Sequence, residues 1–171
     1  DYTRYLTQAV LSCGADIRLN VEATPEMILE GGFDVVIAAN GADTFKPGIP
    51  GAQDANLLDP LKVLDHKEST GDTVIVCGAG LVGCEVAMVL AEEGKKVTMI
   101  DLLPTAAPEL AVYTKWVLDA KLAELGVSLK MNHRIVEMSG TKVVCRTDGK
   151  EVSYDADSVV CALGLKSRKS L

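Results

Sequence analysis

At 171 residues the chain is long enough for one domain of ordinary size, or one domain and part of a second, and too short for two complete ones. Apolar residues make up 48% and charged residues 24%, and the longest apolar runs, Val35 to Ala39 and Val159 to Leu165, fall far short of a bilayer span, so a globular, soluble chain is expected and no membrane is. Seventeen basic against 24 acidic residues leave a formal charge of −7, which repels phosphates and anionic lipid and argues against nucleic acid as a partner.

Along residues 2 to 13, Tyr5, Leu6, Ala9, Val10 and Cys13 recur at helical spacing and Gly14 stops the pattern, which predicts a short helix. Ile17 to Val21 alternates as a strand does. Thr24-Pro25-Glu26 has the cap, N1 proline and acidic first turn of a helix start, and Phe33 to Ala39 is a bounded apolar run, so strand, short helix, strand is the expectation. Glycines 41, 48 and 51 and prolines 47 and 50 give residues 41 to 56 the character of a linker, and a domain boundary is placed there.

A helix is predicted near Asp59 to His66. Thr73 to Cys77 is then continuous, β-branched and stopped by glycine, which reads as a buried parallel strand. Val82, Val86, Val89 and Leu90 mark a helix closed by Gly94, and Lys96 to Ile100 supplies a second strand ending at Asp101. Together these form a βαβ unit. Glu109 to Leu125 is expected to be the longest helix, with a strand at Val127 to Met131 after it. Arg134 to Met138, Lys142 to Thr147 and Glu151 to Tyr154 are separated by Ser-Gly and Asp-Gly turns, which predicts a three-stranded antiparallel β-meander. Ser158 to Leu163 adds a buried strand, and residues 165 to 171 read as a loose return segment. The fold class is thus α/β, a Rossmann-like parallel sheet with helices and a meander.

Two stretches echo each other. Cys13-Gly14 through Asn20 has the pattern of Leu125-Gly126 through Asn132, and Phe33 to Gly41 that of Ala156 to Gly164. The second copy belongs to a unit opened by a glycine-rich turn, so the first looks like the rear half of a similar unit, and the chain is expected to be a piece of something longer, as its start at Asp1 also suggests. Helix, glycine, strand, loop, strand is also common in α/β proteins, and that plainer reading stays open.

Gly78-Ala79-Gly80-Leu81-Val82-Gly83 is a GxGxxG sequence where a strand should end and a helix begin. Gly78 suits the tight turn, Gly80 lets the backbone approach a pyrophosphate, and Gly83 allows close helix-to-strand packing. The amides and positive dipole end of the helix from Leu81 can hold the anion with no lysine. Asp101 ends the second strand about 20 residues on and can accept from an adenosine ribose hydroxyl. A 2′-phosphate would stand beside that carboxylate, and Leu102-Leu103-Pro104 offer no cation to offset it, so NAD(H) is expected over NADP(H). The alternative is that Gly80 and Gly83 merely pack a helix on a sheet.

With these residues in view, the sequence resembles the pyridine-nucleotide-binding region of two-dinucleotide flavoprotein reductases, the FAD-dependent pyridine nucleotide-disulphide oxidoreductase superfamily. Gly78 through Cys84-Glu85 matches its GxGxxGxE signature, Ala39-Asn40-Gly41-Ala42 through Ile49-Pro50-Gly51 its "ATGA…P.IPG" segment with Asn40 in place of threonine, and Asp157 to Gly164 its "D.VV.ALG" strand. With Asn56, Asp59 and Leu64 the chain is most similar to the C-terminal part of the 2,4-dienoyl-CoA reductase and NADH:flavin oxidoreductase group, which joins an old-yellow-enzyme-like barrel to FAD and NAD(P) domains. The resemblance implies a three-layer FAD/NAD(P)-binding fold, with residues 1–56 the rear of an incomplete FAD domain plus linker, 57–164 the NAD(H)-binding domain and 165–171 the return segment. It implies an oxidoreductase in which NADH passes hydride to FAD. Electrons then reach an unsaturated enoyl- or dienoyl-type substrate through an iron–sulfur cluster and FMN elsewhere in the same multidomain chain. The fragment alone is expected to bind the nucleotide and catalyse little. Glu85 would lie near the nicotinamide–flavin junction, Ile135 against the adenine and Gly164 near the cofactor backbone; a solvated acid and a plain core residue are the simpler readings of the first two.

The five cysteines are odd in number, contain no CxxC pair and sit mostly in apolar runs, which predicts reduced thiols with a packing role in a cytoplasmic protein, although a helix start could activate Cys84. His66 and His133 have neither metal-ligand spacing nor a nucleophile whose position favours pairing, so no metal site and no catalytic triad are expected. Two rivals remain: an NAD-sensing or interaction module without redox turnover, and an independent dehydrogenase, for which no substrate domain or proton-transfer residue is evident.

Overall fold

The computed structural model describes residues 2–54 and 56–168, and the chain divides between Asn40 and Gly41 into two units, each with its own contacts. In the N-terminal unit, helix α1 (Tyr2–Ser12) ends before Gly14, and helix α2 (Pro25–Glu30) is capped by Thr24, whose hydroxyl accepts the Met27 amide at 3.3 Å. The two expected strands of this unit do not form. Residues 17–21 pass through a turn at 19–20, and residues 35–40 run without strand pairing, leaving Val35 78% and Ile37 86% exposed. A strand exists only through the ladder it shares with a neighbour. Among the described residues of this unit no second strand supplies one.

The second unit contains β1 (Ala42–Thr44), α3 (Pro60–Leu64), β2 (Thr73–Cys77), α4 (Leu81–Glu92), β3 (Lys96–Ile100), α5 (Val112–Glu124), β4 (Ser128–Lys130), β5 (Arg134–Met138), β6 (Lys142–Thr147), β7 (Lys150–Asp155), β8 (Ser158–Cys161) and β9 (Leu165–Ser167). Strands β4-β3-β2-β8 form a parallel sheet in that order, with Val76 opposite both Met99 and Val160. Strands β5-β6-β7 form the expected antiparallel meander.

Two apolar layers follow from the two-residue period of the strands. Val74, Val76, Val97, Met99 and Val160 pack with Val86 and Leu90 of α4 and Leu122 of α5. From the opposite face, Ile75, Cys77, Ile100, Val159 and Cys161 pack with Met138, Val143 and Cys145 of the meander. Helices, parallel sheet and meander thus make the three-layer α/β arrangement the sequence predicts. Both faces of β2 and β8 are covered, which is why those strands read as unbroken apolar runs.

Three expectations change. Residues 41–56, read as linker outside the nucleotide domain, belong to this unit: the Pro50 carbonyl accepts the Met138 amide at 3.0 Å and the Asp54 carboxylate accepts the Gly140 amide at 3.0 Å. The return segment is not loose, because β9 pairs antiparallel with β1 and Arg168 reaches Asp43 at 2.6 Å; residues 169–171 lie outside the described residues. The long helix starts at Val112 rather than Glu109. Residues 102–111 instead fold back as a loop that buries Ala106 and Ala107 against the core.

Candidate functional site

Strands β2, β3 and β8 are parallel and end together at Cys77, Ile100 and Cys161. The chain leaves central β2 for β3 on one side and reaches β8 on the other, so their carboxyl ends flank the crevice where open α/β sheets take ligands.

The three glycines of the turn have separate structural reasons. Gly78 has φ +103°, and a Cβ there would stand 2.3 Å from the Ala162 carbonyl oxygen. At Gly83 a Cβ would meet the Gly78 carbonyl oxygen at 2.0 Å, so its absence lets α4 pack against the end of β2. Gly80 differs from both. Its φ of −72° suits any residue, and a Cβ would meet nothing of the protein within 4 Å. The chain's own packing therefore explains Gly78 and Gly83 and leaves Gly80 without a reason inside the protein. Its bare backbone faces open space at the start of α4, where the amides of Leu81 and Val82 have no intrahelical acceptor.

Asp101 is tied to this turn directly. Its Oδ2 accepts the Ala79 amide at 2.7 Å and its Oδ1 accepts the Leu103 amide at 2.8 Å. Its own amide donates to Lys130, and its carbonyl accepts from His133. Each carboxylate oxygen keeps a second acceptor site, so a ribose hydroxyl can still be bound. From the other side, the Ala79 carbonyl accepts the Ala107 amide at 2.7 Å, which fastens the 102–111 loop to the turn.

Beside Asp101 lies a cavity of about 280 Å³, lined also by Ile135, Leu163, His133, Arg134 and Phe45. The structure thus gathers Asp101 and Ile135 around one space, to which the glycine turn is joined through the Ala79–Asp101 hydrogen bond. Ile135 is partly buried against the second apolar layer and faces that cavity as well, so core and lining roles coincide. Gly164, at φ +121°, follows the lining residue Leu163, and its carbonyl accepts the Phe45 amide at 2.9 Å. Glu85 is elsewhere. It is exposed on α4 and lines a separate apolar groove of about 280 Å³ with Met88, Leu110 and Lys121.

Sequence reasoning missed Phe45, His133 and Arg134 as neighbours of Asp101. Phe45 was hidden because its segment read as linker, and the other two because β5 reaches the cavity only through tertiary packing. His133 Nδ1 lies 2.7 Å from the Met131 carbonyl oxygen, which can only accept, and Nε2 lies 2.9 Å from the Tyr154 hydroxyl. The Met131 carbonyl requires the proton on Nδ1, while the Tyr154 hydroxyl, which can donate or accept, engages Nε2.

The thiols do not belong to the chemistry of the site. Cys84 is 1% exposed at the helix start, and burial pushes its thiol up to about 11, outweighing Lys115 nearby. Burial raises Cys77 well above the ordinary value too. Both are packing groups. Among the described residues no three His, Cys, Asp or Glu side chains are placed to hold a metal ion, and no helix is long and apolar enough to cross a membrane.

Comparison with known proteins points to one family. A family model described as pyridine nucleotide-disulphide oxidoreductase matches residues 13–171. The chain is 34% identical to a bilirubin reductase of Mediterraneibacter gnavus over 95% of its own length and 25% of the relative's. It is 32% identical to an NADH oxidase of Thermoanaerobacter brockii, over 94% of the chain and 25% of the relative. The solved structure of a 2-naphthoyl-CoA reductase superposes on it with a TM-score of 0.84 at 27% identity, over 96% of this chain and 25% of the other. The chain therefore spans about a quarter of the length of these two curated relatives.

Proposed function

The chain belongs to the pyridine nucleotide-disulphide oxidoreductase family, whose members are flavoprotein oxidoreductases, and from that premise we propose that it is the NADH-binding part of such an enzyme. The observation that carries this reading is Gly80, a glycine that neither backbone strain nor internal packing requires, set at a helix start beside Asp101. A cofactor pyrophosphate needs that missing Cβ.

The fit of NAD(H) rests on the open space before Gly80, the amides of Leu81 and Val82 at the positive end of α4, and the cavity beyond Asp101. In this reading the α4 amides hold the pyrophosphate and Asp101 accepts from the adenosine ribose. Ile135 and Leu163 cover the adenine, Gly164 lies along the cofactor backbone, and Glu85 stands toward the nicotinamide end. NAD(H), when bound, supplies the hydride that the flavin of the whole protein accepts. The chain's own residues orient the cofactor and move no proton.

The whole protein is proposed to carry FAD, FMN and an iron–sulfur cluster and to reduce an unsaturated substrate of the enoyl or dienoyl type. Support comes from the bilirubin reductase and NADH oxidase relatives and from the likeness to the 2-naphthoyl-CoA reductase structure. The exposed apolar residues of 33–37 fit the same reading, since a strand-like segment of that kind calls for sheet neighbours from the rest of such a chain. Five cysteines without a disulfide favour a cytoplasmic setting. The test is isothermal titration of the 171-residue chain with NADH and with 5′-ADP. Saturable binding of both is expected, and absence of binding contradicts the reading.

A further inference from the structure

The cavity beside Asp101 contains a cation that the sequence did not place there. Arg134, the first residue of β5, lines it together with Asp101, His133 and Ile135. The strand begins just after the tight connection at Asn132, where φ is +60°, and the His133 amide donates to the Asp101 carbonyl at 2.8 Å, so β5 starts alongside the end of β3. Arg134 is exposed and makes no ion pair with the described residues, although the chain carries seven more acids than bases. His133 has both ring nitrogens engaged within the protein, Nδ1 by the Met131 carbonyl and Nε2 by the Tyr154 hydroxyl. Among the residues lining the cavity, Arg134 is thus the one fixed positive charge.

Asp101 disfavours a second phosphate on the ribose. Its charge, however, is shared with the Ala79 and Leu103 amides, which partly offset it. A guanidinium lining the same cavity supplies a planar set of donors suited to phosphate, which no residue of 102–104 does. We propose that Arg134 is a specificity-determining residue of the adenosine end: it receives a ribose 2′-phosphate, so that the site accepts NADPH alongside NADH. This rests on the nucleotide-binding reading above and extends it, because Asp101 alone predicts exclusion of the phosphorylated cofactor.

The test compares 5′-ADP with 2′,5′-ADP, two probes that differ only in the phosphate, by calorimetric titration of the wild-type chain, Arg134→Gln and Arg134→Lys at low and at physiological ionic strength. The wild type is expected to bind both. Arg134→Gln should lose about five- to tenfold in affinity for 2′,5′-ADP, the scale of one charge-assisted contact, while 5′-ADP binding holds within about twofold. Arg134→Lys should recover part of the loss, and salt should weaken 2′,5′-ADP more than 5′-ADP. Equal losses for the two probes, no loss for either, or a wild type that binds 5′-ADP and refuses 2′,5′-ADP overturns this assignment and leaves the nucleotide site standing. Refusal of both probes by a folded wild type overturns the site itself, and the assignment with it.

Discussion

The Ala79 amide donates to the Asp101 carboxylate at 2.7 Å, joining the glycine turn after β2 to the end of β3. The acid that the sequence marks as a ribose acceptor is thus also a brace for the turn. Replacing Asp101 with Ala strips acceptors from the Ala79 and Leu103 amides, and the expected cost is about 1–3 kcal/mol, read as a lower urea midpoint at unchanged slope. Asp101→Asn keeps one carbonyl acceptor and should fall between the two. NADH affinity should drop in both variants, and unchanged stability in Asp101→Ala would show that the brace carries no weight.

Gly80 and Gly83 separate folding from binding. Alanine at Gly83 drives a Cβ into the Gly78 carbonyl oxygen, and the expected loss is about 1–3 kcal/mol of stability, seen in thermal unfolding. Alanine at Gly80 meets nothing within 4 Å, so stability should stay within about 0.5 kcal/mol of wild type while NADH binding falls at least tenfold. A Gly80→Ala chain that binds NADH as tightly as wild type removes the argument drawn from its missing Cβ.

The contrast between those glycines also marks what the sequence could carry. β2, the turn, α4, β3 and Asp101 lie within 29 consecutive residues, and each is specified by its neighbours: a β-branched run, glycines at fixed offsets, helical spacing, an acid at a strand end. Their roles at Gly78 and Gly83 were legible for that reason. The pairing of Asp43 with Lys166 across β1 and β9, and the arrival of Arg134 and Phe45 beside Asp101, depend on contacts between residues far apart, which no local pattern encodes. Residues 33–39 failed in the opposite sense. Their composition suits a strand, but the partner that makes a strand is not among the described residues of that unit.

The thiols give a pH signature. Burial pushes Cys84 and Cys145 up to about 11 each from the usual 9.0 and raises Cys77 as well. A folded value above the unfolded one means that the folded chain holds the proton more tightly. The associated stability is complete below the unfolded value and is lost as pH climbs through about 11. Urea midpoints should therefore decline from about pH 9 upward, and less so in Cys84→Ala measured against its own neutral-pH value. With Ellman's reagent at pH 8, exposed Cys13 should react at once and the four buried thiols only on unfolding. Rapid modification of Cys84 would return it to the list of reactive groups.

The two units should also respond differently to protease. Residues 2–40 bury no side chain, whereas 41–168 hold both apolar layers. Limited trypsin digestion should cut first after Arg4 and Arg18, the only basic residues before Lys46, and leave a fragment beginning at Leu19 that still unfolds cooperatively. First cleavage inside β2 to β3 would contradict this division.

Amide shifts in a ¹⁵N-labelled sample of the 171-residue chain titrated with NADH report most directly on whether the glycine turn holds a dinucleotide. The expected result is saturable shifts concentrated at Gly78 to Gly83, at Asp101 and Leu103, and at Arg134 and Ile135, with α1, α2 and the β6–β7 turn unmoved. Shifts centred on the α4–α5 groove around Met88 and Lys121 with a silent turn, or no saturable change at millimolar NADH, would contradict the account.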